Sequence, residues 1–382
     1  MKTSLLRFIT FGILLSLFPY IAQAATIPKT SKGHSFLHVN NLNSASPQGY
    51  TPVQIRHAYG FDKTSLTGAG KVIAIVDAFA NPTIETDLAK FIATFRLANL
   101  NGLPGTSSCT VAAGPHPCFE KISAGTVTKT NVGWSTETAL DTEWAHAIAN
   151  GADILLIQTP SDSLSDLMGG VQEAVKRHVT VGSLSWGGPE FSKEASFDNL
   201  FSQGTQFVAA SGDAGAGTSF PASSSKVLSV GGSTIYLDSS GNRSKAEVAW
   251  SGSGGGVSKY EARPDFQPLN LTTKSNAPKR LVPDVSYNAN PQTGYVIYSS
   301  KTGWAEVGGT SAGTPQWAAL LTLSSTGNAL PQIYSLPISS FNDLKTGKNG
   351  TCTILCTSSR GYDLVTGLGT PIADQVINLL HH

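Results

Sequence analysis

Five short apolar runs constrain the fold of this chain more than any other feature. They are KVIAIVD (71–77), DILLIQT (153–159), VTVGSLS (179–185), QFVAAS (206–211) and KVLSVGG (226–232). Four of them are apolar at consecutive positions instead of alternate ones, and VTVGSLS mixes apolar with small residues. A strand with that pattern is buried on both faces, which requires helices above and below the sheet. Helical periodicity appears between and beyond the runs, near 84–98, 136–149, 164–178, 191–203, 312–325 and 372–380. The expectation is an α/β fold: a doubly wound, mostly parallel sheet with helices on both faces. In such sheets, chemistry gathers at the carboxyl ends of the strands. Asp77, Ser185, Asp213 and Ser311 each stand at or just past the end of a strand-like run. With 382 residues, 40% of them hydrophobic, the chain can bury one large core.

Charge excludes one class of partner. Lys and Arg number 26 against 25 Asp and Glu, so no basic field exists to attract nucleic acid. Residues 1–24 read as an export signal. Lys2 and Arg7 open it, an apolar run follows from Phe8 to Ile21, and Ala22-Gln23-Ala24 supplies a small-x-small cleavage site. The run is short for a membrane span. The expected location is therefore secreted or periplasmic, without stable membrane association. Residues 25–49 are polar and turn-rich with no clear period, and are expected to form a short, poorly ordered lead-in to a domain spanning 50–382. The four cysteines fall into two close pairs, Cys109/Cys118 and Cys352/Cys356. In an exported protein these are expected as two local disulfides.

Ser311 lies in GGTSAGTPQW (308–317), where a Gly-rich turn follows a strand-like stretch and opens a helix. That turn exposes a nucleophile at the positive end of a helix dipole. No histidine has a matching base environment, whereas carboxylates do. In TETALDTEWAHAIA (136–149), Ser135 or Thr136 can cap a helix that Asn150-Gly151 ends. At about 100° per residue, Leu140, Trp144, Ala147 and Ile148 share an apolar arc, with Glu137 and Asp141 on its flank one turn apart. Two inward carboxyls at that spacing repel, and a shared proton relieves them. His146 projects to the far side of the helix and is expected at the surface, and His178 at a helix end is expected to be structural. Asp213 sits in SGDAG, a loop with little charge. Desolvation there raises a carboxyl pKa, and a protonated Asp can donate to an oxyanion.

Taken together these stretches resemble the sedolisin, or serine-carboxyl peptidase, family. The resemblance runs from about Tyr50 to near the C-terminus through eight motifs in order: TPVQIRHAYGF (51–61), ETALDTEWAHAIANGAD (137–153), SLSWGGPE (183–190), SGDAGAGTSFPASSSKVLSVGG (211–232), SGGGVSKYEARPDFQ (253–267), RLVPDVSYNANPQTGY (280–295), GGTSAGTPQWAAL (308–320) and GYDLVTGLGTP (361–371). It implies a subtilisin-like fold and hydrolysis of peptide or protein substrates at acid pH. Ser311 matches the nucleophile, Glu137 its general base, Asp141 the second carboxyl, and Asp213 the oxyanion-hole acid. Ser185, Trp186 and Gly187 match the edge strand that pairs with substrate backbone. The resemblance also implies one Ca2+ in a C-terminal loop. Asp343 and Asp363 match its carboxylate ligands, and Leu344, Ser359 and Gly361 its backbone-carbonyl positions, with Ser359 standing where relatives often have Gly. The Cys352–Cys356 pair lies in the same loop. Relatives usually carry a long folded propeptide, and here only residues 25–49 separate the signal from the domain.

Two other readings compete. Asp77 and GTSA resemble parts of a subtilisin-type Ser-His-Asp site, but the matching His motif is absent and ETALD occupies the comparable helix. A catalytically inactive secreted binding protein on a protease scaffold is opposed by the complete set Ser311, Glu137, Asp141 and Asp213. A monomer is expected. Asn242, Asn270 and Asn349 lie in Asn-x-Ser/Thr sequences, which matter only in a glycosylating host.

Overall fold

A computed structural model describes residues 27–267, 278–324, 329–352 and 354–381. The export-signal reading of residues 1–24 lies outside them. The central sheet holds β3 (Val72–Ala78), β4 (Phe119–Ser123), β5 (Asp153–Thr159), β6 (Val181–Leu184), β8 (Gln206–Ala210) and β9 (Val227–Thr234). Their spatial order is β9-β8-β6-β3-β5-β4, parallel throughout. The strand Val285–Asn288 adds to β9 in parallel, and Val248–Ala249 pairs with β9 antiparallel. The chain leaves β5 on one side of β3 and re-enters at β6 on the other. This makes the carboxyl end of β3 the switch point of the sheet, where doubly wound folds place their sites.

The helices are α1 (Pro52–Tyr59), α2 (Ile84–Phe95), α3 (Val132–Ile148), α4 (Leu164–Lys176), α5 (Asp198–Phe201), α6 (Thr310–Ser324), α7 (Ala329–Ser335) and α8 (Ala373–Leu380). The unbroken apolar strands are sandwiched as their composition requires. Ile73, Ile75, Ile154 and Leu156 belong to a core shared with α2, α3 and α6. Ala74, Val76, Leu155 and Ile157 belong to a second core with Leu164, Leu167 and Val171 of α4. Arg280, fully buried, is paired with Asp284, whose carboxylate also accepts from Ser229 N–H and Tyr334 Oη.

Several local expectations differ from the structure. Helix α3 begins at Val132, capped by the Asn131 side chain accepting from Trp134 N–H, and not by Ser135 or Thr136. The helix expected over 191–203 is a short 3-10 turn, Glu194–Phe197, running into α5. His146 is buried: α3 is covered on both sides, and the imidazole Nε2 stands 2.7 Å from the Ala98 carbonyl. Burial holds its pKa down at about 4. The lead-in carries two strands, β1 (His34–Ser35) and β2 (His38–Ser44). β1 pairs antiparallel with β7 (Trp186–Gly187), and β2 pairs antiparallel with Gly303–Gly308. Both disulfides form as local pairs, Cys109–Cys118 and Cys352–Cys356, with Cα separations of 5.9 and 5.4 Å.

Candidate active site

Four elements meet at the switch point. Ser311 is the second residue of α6, presented by Gly308 and Gly309. Gly309 has φ 108° and no room for a side chain. A Cβ there would lie 2.0 Å from the Phe36 carbonyl oxygen and 2.5 Å from Asp213 Oδ2. The Ser311 hydroxyl donates to the Ser185 carbonyl at 3.1 Å, and Ser185 Oγ donates to Asp141 Oδ1 at 2.8 Å. The end of β6 therefore ties the serine turn to the carboxylate helix.

Glu137 and Asp141 are fully buried on α3, as is Asp77 at the end of β3. Both oxygens of Glu137 and of Asp77, and Oδ2 of Asp141, have no closed hydrogen bond. Burial, and next the Asp77 carboxyl, push Glu137 well above the usual carboxylate range, while the Ser311 hydroxyl pulls it back. Asp141 is raised by burial, then by Asp77 and Glu137. Burial lifts Asp77 to about 7. Three buried carboxyls this close cannot all ionise, so at least one proton is held among them. Asp77 is the member that sequence reasoning placed only in a competing site. Its signal was its position at the end of β3.

Asp213 follows β8, and its Oδ1 accepts from Thr310 N–H at 2.8 Å and Thr310 Oγ1 at 2.7 Å. With Oδ1 so occupied, Oδ2 is the position for a donated proton. Burial raises its pKa, opposed by His38 and Thr310. His38 Nε2 stands 3.2 Å from Oδ2, as an ion-pair contact and not an aligned hydrogen bond. Ser311 N–H points into the same space, where it donates to the Phe36 carbonyl at 3.3 Å.

The geometry sets a buried serine among buried carboxyls, and comparison with known proteins gives the family. Residues 122–333, more than half the chain, match the family model described as the subtilase family, Peptidase_S8. The chain belongs to the subtilase family. This subtilase is 31% identical to kumamolisin from Bacillus sp. (strain MN-32), over 88% of this chain and 64% of kumamolisin. It is 26% identical to sedolisin from Pseudomonas sp. (strain 101), over 92% of this chain and 65% of that protein. It thus spans a little under two thirds of the length of these curated relatives. Among solved structures, Pseudomonas sedolisin, a serine-carboxyl proteinase complexed with two molecules of pseudo-iodotyrostatin, superposes with a TM-score of 0.73 at 25% identity. That match covers 87% of this chain and 98% of the solved one. The sedolisin resemblance and the subtilisin-like α/β class read from the motifs are thereby shown.

The C-terminal loop brings Asp343 and Asp363 to one turn. Gly361 N–H donates to Asp343 Oδ1 at 3.0 Å and Ser359 N–H to Asp363 Oδ2 at 2.9 Å. Asp363 Oδ1 accepts from Val365 and Thr366 N–H, and the Leu344 carbonyl accepts from Ser358 Oγ. Two carboxylates beside backbone carbonyls form a set of hard oxygen donors, the chemistry calcium takes. Among the described residues, no cluster of three or more His, Cys, Asp or Glu side chains is assembled to hold a metal. Any further ligands here would be carbonyls.

Proposed function

We propose that this subtilase is an exported serine-carboxyl peptidase that hydrolyses peptide bonds at acid pH. The observation that carries the reading is the convergence of Ser311 with buried carboxyls of raised pKa at the sheet's switch point. Ser311 attacks the carbonyl carbon, and Glu137 accepts its proton. Asp141, held by Ser185, and Asp77 keep a proton within the carboxyl group so that Glu137 can cycle. The oxyanion is met by Ser311 N–H and by protonated Asp213 through Oδ2. Glu137 then returns its proton to the leaving amine, and water releases the acyl group by the reverse sequence. Trp186 and Gly187 pair with the substrate backbone as an added strand, and the Ser185 carbonyl bonds its N–H.

The peptidase domain is assigned to residues 50–382, acting on peptides or proteins as a monomer. Residues 1–24 direct export, and no helix among the described residues is long and apolar enough to cross a membrane. Asp343 and Asp363, with the carbonyls of Leu344, Ser359 and Gly361, would hold one Ca2+. When bound it supplies positive charge that neutralises the two carboxylates and braces the loop closed by Cys352–Cys356. It takes no part in the chemistry.

Digestion of a peptide library at acid pH, with products mapped by mass spectrometry, tests the reading. Wild type should give a consistent cleavage pattern that Ser311→Ala loses by several orders of magnitude while its melting curve is kept. Undiminished turnover by a purified Ser311→Ala protein would refute it.

A further inference from the structure

A cavity of about 880 Å³ lies at the amino ends of β8 and β9. Gln206 opens β8 and Lys226 stands just before β9, and both line it. The catalytic groups sit at the other end of the sheet, where Asp213 follows β8. The five residues of β8, at roughly 3.3 Å each, set about 16 Å between the two places. Phe201 of α5, Leu330 and Pro331 of α7, and Pro264 and Phe266 after the strand Gly256–Ala262 give the cavity its apolar surface. The Phe266 ring is steadied by Tyr334 of α7, with centroids 5.2 Å apart.

Most polar side chains in the lining are already engaged. Thr205 Oγ1 donates to the Val179 carbonyl at 2.9 Å, and Ser225 Oγ to Asp198 Oδ2 at 2.9 Å. Gln206 donates to the Phe207 carbonyl and accepts from Ala329 N–H. Arg263 is different. It lines the cavity, and its Nη1 is buried with no hydrogen-bond partner among the described residues. A buried donor of a charged group left without an acceptor is costly. Lys226 adds a second cation to the lining, and Asp265, exposed, is the single carboxylate among the described lining residues.

We propose that this cavity is a second binding site, which takes a carboxylate carried on an apolar body. The Arg263 guanidinium meets the carboxylate, as its planar fork suits. Lys226 adds charge at the mouth, and Phe266 and Pro331 cover the body. The volume lies in the range of small-molecule sites, which pair apolar walls with a few placed polar groups. The apolar walls select against a bare inorganic anion, which would leave them wet. Two sources offer this chemistry. One is the C-terminal end of a peptide with an apolar last residue, and the other is a free fatty acid. The site is separate from the peptidase cleft, so the proposal does not depend on the reaction assigned to Ser311.

Titration calorimetry on the full chain tests it at about pH 6.5, where a carboxylic acid is ionised. The probes are N-acetyl-phenylalanine for the peptide end and octanoate for the fatty acid. N-acetyl-phenylalaninamide and octanol are their uncharged controls. At least one acid should bind saturably, one per chain, with Kd of about 1 mM or tighter, as suits a ligand of this size. Its uncharged control should bind at least about tenfold more weakly, the effect of losing a charge-assisted hydrogen bond. Whichever acid binds more tightly identifies the source. Arg263→Gln should weaken that acid by at least about tenfold while the melting curve is kept. If Arg263→Gln fails to fold, Lys226→Glu, at an exposed position, decides on the same terms. Three results overturn the proposal: neither acid saturates, the uncharged control binds as tightly as its acid, or the acid binds the deciding variant as tightly as wild type.

Discussion

Ser185 Oγ donates to Asp141 Oδ1 at 2.8 Å, and both side chains are fully buried. The bond fixes the second carboxyl of α3 against the strand end whose carbonyl accepts from Ser311. Ser185→Ala would leave Asp141 Oδ1 without its donor, which costs about 1–3 kcal/mol for a buried acceptor. Removing a donor to the ionised form also raises the Asp141 pKa further. Activity should fall roughly ten- to hundredfold if that cost appears in the transition state, with the acid limb of the pH profile displaced. Ser185→Thr, which keeps the hydroxyl, should recover part of it. A profile unchanged in shape after Ser185→Ala would show that the serine only fills space.

Stability should fall as pH rises from acid to neutral. Burial lifts Asp77 to about 7 and Glu194 and Glu261 each to about 8. The folded state thus binds more protons than the unfolded chain, whose carboxyls titrate near pH ~4, so the stability is complete below that value and is lost as pH climbs through the folded pKa values. His146, lowered to about 4, acts in the opposite sense. It is neutral in the fold, and its contribution is lost as pH drops from about 6.5. One imidazole opposes several carboxyls, so the net slope should be downward. Melting temperatures measured from about pH 4 to pH 8 check this, and a maximum at neutrality would contradict it.

Much of the scaffold was legible because its signals are local. Consecutive apolar residues mark β3, β5, β8 and β9, and Gly308-Gly309 marks the serine turn. What was not legible depends on residues far apart in the chain. His34–Ser44 has no period of its own and becomes two strands only against residues 186–187 and 303–308. His146 points away from the apolar arc of α3, but only the fold reveals that the segment around Ala98 covers it. The wheel did place Glu137 and Asp141 inward. It could not show Asp77 arriving beside them from another strand.

Chelation should act on stability before chemistry. With calcium removed, Asp343 and Asp363 lose the charge proposed to hold them on one turn. Thermal melting with and without chelator, at a pH where chelation is effective, should show a lower transition without the metal. Superimposable curves would remove the site from the account.

The pair Arg280–Asp284 should be the most sensitive point in the scaffold outside the site. Both side chains are fully buried, and removing one partner strands the other. Asp284→Ala should cost about 3–5 kcal/mol, seen as a lower denaturant midpoint. A loss well under 1 kcal/mol would mean that water reaches the guanidinium.

The central claim is that carboxyls do here what an imidazole does elsewhere, and kcat/KM across pH for wild type and Asp213→Asn tests it most directly. Asp213 must carry a proton to donate, and its pKa is raised by burial, so wild-type activity should lie roughly between pH 3 and 6 and fall toward neutrality. An amide donates at any pH, so Asp213→Asn should lose rate but extend its alkaline limb upward. A wild-type optimum at or above neutrality, with an alkaline limb that Asp213→Asn leaves in place, would contradict the carboxyl mechanism.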